Sequence, residues 1–245
     1  MIKAVIFDLD DTLYDCLHDN DQAVEDAVTV MAKQYLHMDR DMVREAFFAG
    51  RDQIKKEMAP CGDMAAQHNR LLYIQRMLEI LGVKPFGYAI DLYDCFWNTF
   101  LDRIRPFPGA IDLLAWLKEQ GIRIGICTDM TAHIQYRKIK RLGFEPYLDA
   151  LTTSEEVGAE KPDRRMFERA LSKFGVEPSE ALYVGDSYRK DVMGAMRAGI
   201  RPIWYLSLAT PQGEDVPMAH DMEELKERIQ EIMEETGLGE EIYYQ

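Results

Sequence analysis

Short apolar runs rich in β-branched residues recur along the chain, and the first of them, Lys3–Phe7, stops abruptly at a cluster of aspartates. Similar runs follow at Ile122–Cys127, Ala181–Val184 and Arg201–Leu206, with a weaker one at Leu148–Thr153. Runs this short, bounded by turn residues, predict buried strands. Between them, apolar positions recur at helical spacing over Ala110–Gln120, Ala132–Leu142, Arg164–Phe174 and Arg189–Ala198. Gly121, Gly143, Gly175 and Gly199 stand where helices end in a left-handed residue. Strands alternating with helices imply right-handed crossovers: an α/β fold with a Rossmann-like, mainly parallel sheet and helices on both faces. Met222–Glu235 predicts an acidic amphipathic helix, followed by a polar tail expected to fray.

Residues 16–104 break that rhythm. They contain helix-period segments in succession, Ala23–Leu36, Asp41–Met58, Ala65–Leu81 and Ile90–Leu101, punctuated by turn-like stretches at 61–63 and 82–87. A helical block inserted after the first strand of an α/β unit predicts a separate α-helical cap domain at 16–104, with the Rossmann-like core formed by 1–15 and 105–245. Pro106-Phe107-Pro108-Gly109 marks the return to the core, and hinges are expected near 15–17 and 103–107. Phe47, Phe48, Tyr73, Trp97 and Phe100 recur at helical spacing and read as cap core. His18, Arg51, Lys55 and Arg103 are the cap's polar candidates for reading a substrate, each with the simpler reading of a solvated face residue.

Composition narrows the class. With 47% hydrophobic residues in 245, the chain can bury a sizeable core. A net charge of −14 argues against a nucleic-acid polymer or an anionic membrane as partner, because both need a concentrated basic surface. A small phosphorylated substrate remains compatible, since a bound cation and a few local basic groups outweigh the global field. Cys16, Cys61, Cys95 and Cys127 show neither zinc-ligand nor disulfide-framework spacing, and His37, His68, His133 and His220 form no metal-ligand pattern. No leader pattern and no long apolar window is present, so the expectation is a cytoplasmic, soluble monomer or homodimer.

Four stretches carry candidate chemistry. At the end of the first strand lies Asp8-Leu9-Asp10-Asp11-Thr12-Leu13. In extended backbone, residues two apart share a side, so Asp8 and Asp10 are expected to face one point at the strand's carboxyl end, where open α/β sheets place ligands. Two carboxylates so close need a cation or a shared proton, and Mg²⁺ suits such oxygen ligands. Taken alone, the pair reads equally well as an acidic turn. Thr128-Asp129 ends the second strand, with a hydroxyl and backbone N–H groups for a phosphoryl oxygen or, more simply, a helix cap. Lys161-Pro162-Asp163 precedes a helix, and Gly185-Asp186-Ser187-Tyr188-Arg189-Lys190-Asp191 follows the fourth predicted strand, where Asp186, Ser187 or Asp191 could also serve as helix-start residues.

Acidic pair, hydroxyl, lysine and second acidic cluster, in that order on one sheet, resemble the four motifs of the haloacid dehalogenase-like hydrolase superfamily. The likeness covers residues 1–15 and about 105–220, and the helical insert falls between the first and second motifs, as in members with an α-helical cap. The resemblance implies a Mg²⁺-dependent phosphohydrolase acting through an aspartyl-phosphate, with Asp8 as nucleophile and Asp10 as general acid and base. It also implies phosphoryl contacts from Thr128, Asp129 and Lys161, and metal held by Asp8, the Asp10 carbonyl and Asp186, with Asp191 assisting. Asp10 favours phosphate esters over carbon–halogen bonds, because a halide leaving group needs no acid. A phosphomutase using the same residues, or a non-catalytic binding protein on the same scaffold, are the alternatives. Many phosphatases of the superfamily have Asn where this chain has Asp129, which puts a side-chain contribution there in doubt.

Overall fold

The computed structural model describes residues 1–62, 64–206 and 216–241, with side chains described as far as residue 237 in the last segment. The chain divides into two compact units, Met1–Asp15 with Arg105–Gln245, and Cys16–Ile104.

The first unit is built on a parallel sheet of β1 (Ala4–Phe7), β2 (Arg123–Thr128), β3 (Ala150–Thr153), β4 (Ala181–Gly185), β5 (Arg201–Tyr205) and β6 (Met218–Ala219). Its spatial order is β3-β2-β1-β4-β5-β6. β1 is central and wholly buried, which explains why its sequence is an uninterrupted apolar run rather than an alternating one. Phe7 is level with Ile126 of β2 and Val184 of β4, so the residues that follow these three strands emerge side by side.

The order steps one way from β1 to β2 and β3, then the other way to β4, β5 and β6. Right-handed crossovers in opposite directions put their helices on opposite faces. α8 (Arg164–Phe174) and α9 (Met193–Arg197) cover one face, where Phe167, Phe174, Leu171 and Ala195 pack on Ala4, Ile6, Cys127 and Tyr183. α5 (Ala110–Glu119) packs on β2, and α10 (Met222–Glu241) packs on α5 and β5. α6 (Ala132–Leu142) and the short α7 (Ser154–Val157) complete this unit.

The second unit holds α1 (Cys16–Val30), α2 (Arg40–Met58), α3 (Arg70–Ile80) and α4 (Ala89–Arg103). α2 against α3 and α1 against α4 are its main pairs. Its core is aromatic: Phe47 stacks on Phe96 with ring centroids 6.0 Å apart, and Trp97 meets Phe96 and Phe100 edge-on.

The strands and most helices lie within a residue or two of their expected positions. Five local differences stand out. Ala65–Leu81 is not one helix: Ala65–His68 forms a tight 3₁₀ turn, and Asn69 then starts α3 afresh by accepting a hydrogen bond from the Leu71 N–H. Arg189–Ala198 is a π-helical turn, Tyr188–Val192, leading into α9. α1 begins earlier than expected and passes into a π-turn at Met31–Leu36. β6 is only two residues long, too short to leave a periodic signal. α10 runs past Glu235 to Glu241, and the rest of the tail expected to fray lies outside the described residues. Among the described residues no helix is long and apolar enough to cross a membrane.

Close packing behind the sheet generates a test. An added Cβ at Gly194 would sit 2.4 Å from Cζ of the buried Phe167, whereas one at Gly87 would meet nothing within 4 Å. Gly194→Ala is expected to lower the unfolding free energy by about 1–3 kcal/mol through overpacking. Gly87→Ala is expected to stay within about 0.5 kcal/mol of the parent. Urea denaturation of both variants measures the contrast.

Candidate active site

Asp8 follows β1 directly, and its N–H donates to the carbonyl of Val184 at 2.8 Å, which fixes its backbone against β4. The side chain is buried and ion-paired with Lys161, whose Nζ lies 2.7 Å from Asp8 Oδ1 and 2.7 Å from Asp191 Oδ1. Asp191 is itself buried. Its Oδ1 also accepts from the Tyr183 hydroxyl at 3.1 Å, and its Oδ2 accepts from the Ser187 N–H at 3.0 Å. The π-turn at Tyr188–Val192 brings Asp191 back over β4, so close that a Cβ at Gly185 would lie 2.4 Å from its Cγ. Only glycine fits there. Asp186 is held by Thr12 Oγ1, which donates to its Oδ1 at 3.3 Å, and by Trp204 Nε1, which donates to its carbonyl at 2.7 Å.

Asp8, Asp186 and Asp191 each bring a ligand oxygen within 4.8 Å of the others. Three carboxylates against the single Lys161 ammonium leave a formal charge of −2 when all are ionised. Burial pushes Asp8 well above the ordinary carboxylate range; Lys161 opposes this, and Asp191, Asp186 and Asp10 add to it. Burial, with the Asp191 charge, pushes Asp186 up to about 7. A hard divalent cation supplies the missing charge on oxygen ligands of the kind it prefers, so the donor set fits one.

Asp10 lies in a different environment. Lys138 Nζ donates to both its oxygens, at 2.8 and 2.9 Å, Gln135 Nε2 donates to Oδ2 at 3.3 Å, and the Tyr14 hydroxyl donates to Oδ1. Burial works to raise the Asp10 pKa, but the Lys138 charge and these hydrogen bonds prevail and lower it. Asp10 nonetheless lies near enough to Asp8 for its charge to help raise the Asp8 pKa. Asp10 bridges to Tyr14 in the turn after β1, and each carboxylate keeps its own cation, Lys161 for Asp8 and Lys138 for Asp10. The acidic cluster includes Asp8 but not the Asp10 carboxylate.

Thr128 is buried at the end of β2, and its Oγ1 accepts from Gln135 Nε2 at 2.8 Å. Asp129 has its carboxylate engaged elsewhere: Oδ1 accepts from the Lys161 N–H at 3.0 Å and Oδ2 from Lys190 Nζ at 2.8 Å. That leaves its backbone N–H, not its side chain, as the group able to meet an anion. Met130, next in line, has φ 93°, a strained position for a non-glycine residue. Ser154 holds it there, with the Met130 N–H donating to Ser154 Oγ at 2.8 Å.

The residues missed from sequence are the partners: Thr12, Tyr14, Gln135, Lys138, Tyr183 and Lys190. Gln135 and Lys138 left a trace, since both fall on the apolar face of α6 beside Ile134, Ile139 and Leu142. A polar residue in an apolar stripe needs a buried partner.

These elements define a class. A model of the haloacid dehalogenase-like hydrolase family matches residues 2–199, and the chain belongs to that family. It is 36% identical over 206 residues to the ribulose-1,5-bisphosphate 5-phosphatase of Halopiger xanaduensis, covering 84% of this chain and 85% of that one. It is 33% identical over 226 residues to the glyceraldehyde 3-phosphate phosphatase of Methanopyrus kandleri, covering 89% and 91%. Among solved structures, a 2-haloacid dehalogenase from Pseudomonas syringae pv. Tomato DC3000 superposes with a TM-score of 0.74 at 26% identity, covering 94% of this chain and 99% of that one.

Two tests follow. An Asp186 that titrates near 7 when folded, against 3.8 ordinarily, takes up a proton on folding between those values. Metal-free stability therefore falls as pH rises through that window, and a bound cation reverses the loss. The rise in melting temperature on replacing EDTA with excess Mg²⁺ or Mn²⁺ is expected to be greatest near pH 8 and to fade toward pH 5. At a hundred times the dissociation constant it corresponds to about 2.7 kcal/mol.

For Asp10 the sign is opposite. Its folded pKa is depressed below 3.8, so the Lys138 pair contributes stability above that value and loses it as pH falls through the folded value. Lys138→Met is expected to cost about 3 kcal/mol at pH 7, the lower end for breaking a buried pair. The lower end applies because the Asp10 side chain keeps 21% exposure. The deficit should shrink toward pH 4, as the unpaired Asp10 takes up a proton; urea titrations at the two pH values measure it.

Proposed function

We propose that the protein is a Mg²⁺-dependent phosphomonoester phosphatase acting on small phosphorylated metabolites of the sugar-phosphate type. One observation carries the reading: a buried carboxylate, Asp8, in a cluster two positive charges short, beside a second carboxylate, Asp10, with its own cation. Those are separate environments for a nucleophile and for a proton carrier. The relatives, phosphatases of ribulose bisphosphate and glyceraldehyde 3-phosphate, support the substrate class.

In this reading an Asp8 oxygen attacks phosphorus, and the bond from phosphorus to the leaving oxygen breaks. Asp10 in its protonated form gives that oxygen its proton. Water then attacks the phosphorus of the aspartyl-phosphate, Asp10 takes the water's proton, and Asp8 leaves as a carboxylate with free phosphate as product. Lys161 and Thr128, with the Asp129 N–H, offset charge on the transferring group. Asp8, Asp186 and Asp191, with the Asp10 carbonyl, would hold Mg²⁺, which when bound offsets the repulsion between nucleophile and phosphate. Lys138, Gln135 and Tyr14 hold Asp10 ionised at rest, the form needed for the second step.

Asp8→Asn is expected to reduce Mg²⁺-dependent phosphate release from sugar phosphates and aryl phosphates by on the order of a thousandfold or more. Its melting temperature without metal should be equal or higher, because one crowded charge is gone. Turnover at the parental rate would remove Asp8 from the chemistry.

A further inference from the structure

The helical unit contains a small polar cavity of about 120 Å³, lined from α1, α2 and the start of α3. Phe47, Arg51 and Lys55 are spaced four apart on α2, which stacks them along one face. Arg70 enters at the beginning of α3. Three full cations thus surround one space, and the lining offers only Asp21 as a carboxylate.

The cations are poorly compensated. Arg70 is fixed by neutral acceptors, with Nη1 donating to the His68 carbonyl at 2.7 Å and Nη2 to Asn20 Oδ1 at 3.2 Å. Its guanidinium lies 5.5 Å from the Tyr73 ring centroid and 5.6 Å from that of Trp97. Arg51 pairs through Nε alone with Asp52 at 2.7 Å and lies 4.8 Å from the centroid of Phe48, so its two terminal nitrogens stay available. Lys55 has no ion-pair partner within 4 Å among the described residues. Partial burial and the charges of Arg51 and Arg70 hold its ammonium below the ordinary lysine range.

We propose that this cavity binds one oxyanion group, a phosphate or a carboxylate of a small metabolite, through Arg51, Lys55 and Arg70. The guanidinium forks suit paired oxygens, and the lysine adds a compact charge. The volume is well below the ~300–1,000 Å³ of a whole-ligand pocket, so the fit is to one group. Two sources share this chemistry: a second acidic group on the substrate, which rests on the phosphatase reading above, and a separate anionic effector, which does not.

The test uses the full chain and inorganic phosphate. EDTA removes any cation that would draw phosphate to the Asp8 cluster, and the dependence of calorimetric binding on Lys55 assigns it to the helical unit. The parent is expected to show saturable phosphate binding that weakens with added salt. Lys55→Glu should weaken it by about tenfold or more. Lys55→Gln serves as a second variant, and unchanged melting temperatures verify folding. No saturable binding, or equal binding in the parent and both variants, overturns the proposal.

Kinetics then separate the sources. A substrate origin gives Lys55→Gln a KM raised about tenfold for a sugar bisphosphate, with kcat retained and an aryl phosphate unaffected. An effector origin leaves both KM values unchanged, and added phosphate or citrate alters the parent's kcat but not the variant's. Phosphate binding that depends on Lys55 in a protein that hydrolyses none of these esters supports the cavity and overturns the phosphatase reading alone.

Discussion

One buried ammonium organises the core unit. Lys161 stands between Asp8 and Asp191 at 2.7 Å from each, and its own N–H is held by Asp129. Through these contacts the ends of β1, β2 and β4 and the segment before α8 are joined at one point. A buried ion pair of this kind is weak evidence for stability, because desolvating the charges consumes most of the attraction. Its consequence is positional. Remove the lysine, and three carboxylates face one another in a space where burial already drives Asp8 and Asp186 toward the protonated form. The cluster tolerates its charge only with a cation, and Lys161 supplies a fixed part of that need while leaving two charges for an exchangeable ion.

The second carboxylate is kept out of this balance. Asp10 is two residues from Asp8, yet Lys138, Gln135 and Tyr14 bind it from α6 and from its own turn. Gln135 ties the arrangement together, since its amide nitrogen also reaches Thr128 Oγ1 at 2.8 Å and the Asp129 carbonyl at 2.9 Å. A displacement of α6 would thus move the acid/base candidate and the phosphoryl-binding candidate together. Separate cations let neighbouring carboxylates shift in opposite directions, Asp8 upward and Asp10 downward.

The sheet could be read from the sequence because buried parallel strands announce themselves as apolar runs, and each run here ends in a polar cluster. What escaped was structure without periodicity: the two-residue β6, the short α7, and the π-turn that carries Asp191. For the site, Asp8, Thr128, Lys161, Asp186 and Asp191 stand in motifs whose order along the sheet is visible in one dimension. Tyr14, Gln135, Lys138 and Tyr183 do not, because their meaning lies in contacts across as many as 128 residues.

Fold similarity leaves the leaving group open, since a haloacid dehalogenase superposes well on this chain. The surroundings of Asp10 bear on that choice. A halide departs as a stable anion and asks nothing of a proton carrier, whereas an alkoxide leaves poorly unless protonated. A site for halide chemistry would gain nothing from placing a lysine, an amide and a tyrosine hydroxyl around a second carboxylate, and burying Lys138 there has a desolvation cost. Such a cost is understandable where the carboxylate's protonation state matters to the reaction. The same clamp constrains the proposed chemistry, because it favours the ionised Asp10 suited to activating water. Protonating a leaving alkoxide then requires substrate to weaken the Lys138 contact or to bring the proton with it, and an incoming phosphate monoanion carries one.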